Sequence, residues 1–240
     1  MKQCLLAVVG LFGGMCAFVM LLGATGAAVR ESPQETVLTV SLPEKPTQAV
    51  VEELEFPFPV PGTTLTARAL ALYEGELLEV DTGEYIVDAA ALEVENYGDR
   101  EVAVAYIVLF IQGEEYHFFG TDLPPDSTSL LVEMDGKPYT TNLCSDCTAW
   151  ARYAEDRQTL GSVLALSEVG IDTIRVENIS QQPQEDILLY YKNYLPEGDL
   201  YLGGVTYQIY IGTLDPGQHI EISPFRYVSG YSKVIKAVPH

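Results

Sequence analysis

The balance of apolar and polar positions changes character twice along the 240 residues. From Cys4 to Val29 the chain is apolar and uncharged, built largely of Leu, Val, Phe, Met, Ala and Gly, and Arg30 is the first charge beyond Lys2. A helix of that length, rising about 1.5 Å per residue, exceeds the roughly 30 Å hydrocarbon core of a bilayer. Residues 1–29 therefore read as a transmembrane anchor, the alternative being a long signal peptide cut near Gly26-Ala27-Ala28. Lys2 and the terminal amine mark the cytoplasmic side, and acid comes after Arg30. This predicts a single-pass protein of the cell membrane, held through residues 4–29 with its C-terminal part outside the cytoplasm, or secreted if the segment is cleaved. Residues 30–62, with prolines at 33, 43, 46, 57, 59 and 61, read as an extended Pro/Glu-rich linker, a stalk between the membrane and the remainder of the chain.

Beyond the stalk Val, Ile, Thr, Leu and Tyr alternate with polar residues and break at Gly, Pro, Asp and Asn, the pattern of strands and turns. Val102 to Ile111 is apolar on both faces, as a central strand between two layers would be. The order of features repeats. Leu92 to Asn96, the strand at 102 to 111, Tyr116 to Phe119 and Leu123-Pro124-Pro125 are matched by Ile174 to Asn178, Ile187 to Tyr191, Val205 to Ile211 and Leu214-Asp215-Pro216. Val-Glu-Asn and Leu-x-Pro recur, and the second copy is longer by an insertion near Tyr194 to Gly204, read as a long loop. Asn suits a strand end because its side chain bonds the backbone of the next turn, and the Leu before Pro plugs the core. The fold expected is mainly β: two tandem β-sandwich repeats, residues 63–140 and 141–240, behind the membrane helix and stalk. Between them, Trp150, Tyr153, Ala154 and Leu160 fall near helical spacing, with Asp146 as cap and Gly161 as stop. That predicts a short helix between the repeats, in competition with a first strand of the second domain in which Thr148-Ala149 aligns with Thr66-Ala67.

An Asn-ending strand, a long apolar strand and a Leu-x-Pro turn, in this order, resemble the immunoglobulin-like modules of exported bacterial proteins known as FxLYF domains. Tyr190-Tyr191-Lys192-Asn193 together with Gly203-Gly204-Val205-Thr206-Tyr207 is similar to surface proteins of Gram-positive bacteria. Over residues 64–238 the resemblance implies immunoglobulin-like sandwiches at the bacterial cell envelope, and it carries over no catalytic residue.

Charge narrows the function. The chain has 34 acidic against 13 basic side chains and a formal net charge of −21, which repels phosphate and excludes unaided nucleic-acid binding. Residues 63–140 carry −13 of this and residues 141–240 only −5. Cys144-Ser145-Asp146-Cys147 is the one short motif with a mechanism. It reads as a local disulfide or paired structural turn, with reactive thiols and half a metal site as alternatives; zinc would need two further ligands that the neighbourhood lacks. No metal and no cofactor is predicted. His117 sits in a strand beside Phe118 and Phe119, where a satisfied or edge histidine is the common case. Eight tyrosines lie between Tyr190 and Tyr231, and Tyr194, Tyr201 and Tyr207 are the candidate binding residues, some of the tyrosines being presented by the insertion. The function expected is a membrane-anchored, non-enzymatic interaction or scaffolding module whose partner is a protein or a cell-wall glycan. The alternative is an envelope hydrolase or thiol-redox enzyme using Cys144 and Cys147 or surface carboxylates.

Overall fold

A computed structural model of the chain describes residues 53–77, 84–156 and 158–240; the expected membrane segment and the stalk as far as residue 52 lie outside the described residues. The described chain is mainly β. Its strands are β1 (Phe58–Pro59), β2 (Leu65–Glu76), β3 (Tyr85–Asn96), β4 (Val102–Ile111), β5 (Glu114–Leu123), β6 (Ser127–Val132), β7 (Cys144–Tyr153), β8 (Leu164–Glu168), β9 (Ile174–Asn178), β10 (Gln184–Leu195), β11 (Leu200–Leu214), β12 (His219–Ile222) and β13 (Ser232–Pro239). Period-2 patterning sets their faces: β4 buries Ala105, Ile107, Leu109 and Ile111, and β9 buries Ile174, Val176 and Asn178.

The strands make one seven-stranded sheet, β1-β2-β3-β6-β11-β10-β13, and two three-stranded sheets, β5-β4-β7 and β12-β9-β8. One core gathers Leu65, Leu92, Val94 and Leu131 of the large sheet against Ile107, Leu109, Phe118 and Cys147 of β5-β4-β7. A second gathers Ile187, Leu189, Tyr191 and Ala237 of the large sheet against Leu164, Ile174 and Val176 of β12-β9-β8. Both are packed β layers, each burying one face of a sheet.

Three expectations need correction. Among the described residues the short helix is absent: residues 144–153 form β7, antiparallel to β4, with Tyr106 opposite Trp150 and Leu109 opposite Cys147. The reason lies in alternation, since Ala149 and Ala151 pack on the first core while Trp150 and Arg152 point away. β7 thus joins the sheet of β4 and β5, and opens no sheet of residues 158–240. The insertion is no long loop. β10 runs on to Leu195 and β11 begins at Leu200, a hairpin whose Leu200–Leu202 pairs in parallel with Thr128–Leu130 of β6. Its Leu and Tyr residues favour strands and meet an unpaired sheet edge. Finally, the end of the expected stalk docks on the body: Leu54 bridges Cys144, and Phe58 and Val60 are buried in the first core.

The two Asn-ending strands close alike. Asn96 Nδ2 donates to the carbonyls of Arg100 (2.9 Å) and Leu123 (3.2 Å), and its Oδ1 accepts from Gly98 N (3.1 Å). Asn178 Nδ2 donates to Gln182 O (2.8 Å) and Leu214 O (2.9 Å), and its Oδ1 accepts from Ser180 N (3.0 Å). Both side chains are buried, as are Leu123 and Leu214. In the turns after those leucines, Asp126 and Gly217 hold the same left-handed conformation, φ 51° and 73°.

Where β5 meets β10 and β11, beside the β6–β11 pairing, the contacts are polar. Lys192 is fully buried and its Nζ lies 2.9 Å from Thr121 O, 3.2 Å from the carbonyls of Gly204 and Val205, and 3.2 Å from Thr206 Oγ1. Thr121 Oγ1 donates to Gly204 O (2.9 Å), and Thr206 Oγ1 donates to Thr121 O (3.0 Å). Beside them Lys236 bridges Glu101 and Asp122 at 2.6 Å each, and Arg226 pairs with Glu76 at 2.6 Å. Leu202 adds an apolar contact to the small cluster of Tyr73, Leu77, Ala89, Ala91 and Val132.

Substitutions at Gly204 and Lys236 probe the stability of this region, with Gly217 in the turn before β12 as the comparison. A Cβ on Gly204 would sit 1.7 Å from Phe119 O, whereas one on Gly217 meets nothing within 4 Å. Gly204→Ala is expected to abolish or grossly destabilise the junction, and Gly217→Ala to cost about 1 kcal/mol for its positive φ, as read by urea titration. The second place is Lys236. Burial pulls its amine down, but Asp122 and Glu101 outweigh this and hold it above the usual lysine range, while burial pushes the Glu101 carboxyl up despite Lys236. A raised lysine contributes stability that is present below its unfolded pKa and lost as pH rises through the folded one, so the lysine's own contribution is lost in strong alkali. Lys236→Met is expected to cost about 2 kcal/mol at pH 7 by leaving two partly buried carboxylates without their shared cation. The cost should shrink as pH falls and the Glu101 carboxyl, raised by burial, takes up its proton.

Candidate functional site

The outward face of β5-β4-β7 carries a dense array of aromatic and polar groups set by strand register. Because alternate residues of β4 point into the core, Val104, Tyr106, Val108 and Phe110 point out. Opposite them stand Thr121, Phe119, His117 and Glu115 on β5 and Arg152, Trp150, Thr148 and Asp146 on β7. The pairing makes four rows across three strands. One row is wholly aromatic, Trp150–Tyr106–Phe119, with Trp150 57% exposed and the other two half-buried. The next is Thr148–Val108–His117, with Asp146–Phe110–Glu115 at one end of the face and Arg152–Val104–Thr121 at the other.

A polar chain crosses the rows. Tyr106 Oη and His117 Nδ1 are 2.6 Å apart, and His117 Nε2 lies 3.6 Å from Glu115 Oε2. The His117 backbone N–H donates to Glu133 Oε1 (3.1 Å), a fully buried carboxylate that also accepts from Asp135 N and Lys137 N. Glu133 thus fixes the strand that carries His117, and His117 fixes the Tyr106 hydroxyl. The result is a set of flat apolar rings with orienting hydrogen-bond groups on a rigid sheet, which suits recognition of a ligand with both apolar and hydroxyl surface.

The structure brings together Tyr194 and Tyr201 but not Tyr207. Tyr194 and Tyr201 face each other across the β10–β11 hairpin with ring centroids 5.8 Å apart, and Lys233 Nζ lies 4.8 Å from the first ring and 5.8 Å from the second. Tyr194 donates to Asp199, which raises its hydroxyl pKa, and burial raises that of Tyr201. Tyr207 stacks instead on Tyr191 at 5.5 Å, in the second core. Tyr191 donates to Phe225 O (2.6 Å) and burial pushes it up to about 12. Of the three, Tyr201 is buried and Tyr194 and Tyr207 are half-buried, so this group serves packing more than display.

Cys144 and Cys147 are free thiols here, both buried. A bulge at Ser145, where the register steps from Phe110–Asp146 to Ile111–Cys144, turns both toward the first core although they are three residues apart. Cys144 Sγ donates to Asp146 O (3.0 Å). Burial raises both thiols, Cys147 to about 12 with help from Cys144 and Asp146. Such thiols are poor nucleophiles at neutral pH. Peptide-resolved alkylation at pH 8 is expected to be roughly a hundredfold slower at these two positions in the native protein than in denaturant.

The aromatic row escapes a reading of the sequence because it exists only once three strands are in register; the alternation of Ala149, Trp150, Ala151 and Arg152 is the available signal. Compared with known proteins, the chain matches no family model and no curated sequence.

Proposed function

We propose that the chain is a membrane-anchored, non-enzymatic interaction module of the cell envelope, in which two immunoglobulin-like sandwich repeats present a binding face outside the cytoplasm. The observation that carries this reading is the aromatic face of β5-β4-β7, with Trp150 exposed among half-buried neighbours. The matching closures around Asn96 and Asn178 support the repeat. The apolar run from Cys4 to Val29 supports the anchor. The raised thiols of Cys144 and Cys147 weigh against the thiol-redox alternative.

The test is site-specific photo-crosslinking of the full chain in its native membrane. A crosslinking residue at the exposed position 148, beside Trp150 on the same face of β7, is expected to give a discrete adduct, while one at the exposed position 215, in the turn before β12, gives none. Absence of an adduct at position 148 would remove the basis of the reading.

A further inference from the structure

We infer that the outward face of β5-β4-β7 binds a linear, uncharged glycan, with successive sugar rings lying on Trp150, Tyr106 and Phe119. This rests on the reading of the chain as an interaction module and names its ligand class. Three observations lead to it. Neighbouring strands stand about 4.8 Å apart, close to the advance per pyranose in an extended glycan, so a chain lying across the strands meets one aromatic residue per sugar. The apolar C–H faces of a pyranose pack against flat rings, and its hydroxyls need donors and acceptors at the rim. The face supplies these from Thr148 and Arg152, both neighbours of Trp150 on the same side of β7, and from the Tyr106 hydroxyl held by His117.

Charge selects the occupant. Arg152 stands at one end of the face and Glu115 and Asp146 at the other, so the aromatic row itself is uncharged and is bracketed by one base and two acids. The chain as a whole carries −21, which repels polyanionic polymers and also a second copy of itself. A ligand with many hydroxyls and no charge fits both facts.

Trp150 is the single tryptophan of the chain, so its fluorescence reports this face alone. The full chain, held in a polyoxyethylene detergent to avoid sugar headgroups, is titrated with cellohexaose and, separately, with the hexamer of N-acetylglucosamine. At least one is expected to give a saturable change in Trp150 emission, and the tighter of the two identifies the sugar. Tyr106→Leu, which keeps the reporter and the bulk, is expected to weaken binding at least tenfold, and Trp150→Ala to abolish it in calorimetric titration while leaving the unfolding transition cooperative. No saturable change with either hexamer overturns the inference, as does binding that Tyr106→Leu leaves intact. A dimer in sedimentation that Trp150→Ala dissociates overturns it in favour of a second copy. If the hexamers fail while crosslinking at position 148 still captures a protein, the glycan assignment falls and the interaction-module reading stands; if both fail, both fall.

Discussion

Lys192 is the constraint on which the rest of the molecule depends. An amine removed wholly from water is costly unless oxygens surround it, and here Thr121, Gly204, Val205 and Thr206 supply them. Thr121 belongs to β5 of the first core, whereas Gly204 to Thr206 belong to β11, which continues into the second. The Lys192 side chain therefore ties a strand of one core to the main sheet of the other. Gly204 makes this approach possible, because any side chain there would strike Phe119 O. The parallel pairing of Leu200–Leu202 with β6 then extends one sheet through both cores.

That junction also braces the strand that carries part of the aromatic face. β5 is held on one edge by β4 and braced through Thr121 by the junction, and Glu133 ties the His117 backbone from the other side. Ordering binding groups beforehand lowers the entropy cost of capturing a ligand. The polar junction and the aromatic face are thus two uses of one strand: β5 gives Thr121 to the contact with β11, and Phe119 and His117 to the outward rows.

Much of this was legible in the sequence where period-2 alternation was strong, and little where contacts joined distant segments. β4, β9 and the Asn closures follow from local residue type. β7 misleads because its inward positions include the small residues Ala149 and Ala151, so that Trp150, Tyr153 and Ala154 suggest helical spacing instead. The insertion after Tyr194 misleads in another way: Pro196-Glu197-Gly198-Asp199 announces a loop, yet Leu200 to Leu202 just beyond it find partners in β6 that only the folded chain provides. Lys192 is invisible for the same reason. In the sequence it is one lysine among tyrosines, and its burial depends on Thr121, 71 residues away.

The central claim is that the two cores behave as one body because of the Lys192 junction, and calorimetric unfolding of the full chain tests it most directly. Beyond any separate event in residues 1–52, the account predicts one transition for residues 53–240, with calorimetric and van't Hoff enthalpies equal. Lys192→Met should split it into two, one for each core. Two independent transitions in the unaltered chain, or a single transition unmoved by Lys192→Met, would contradict the account.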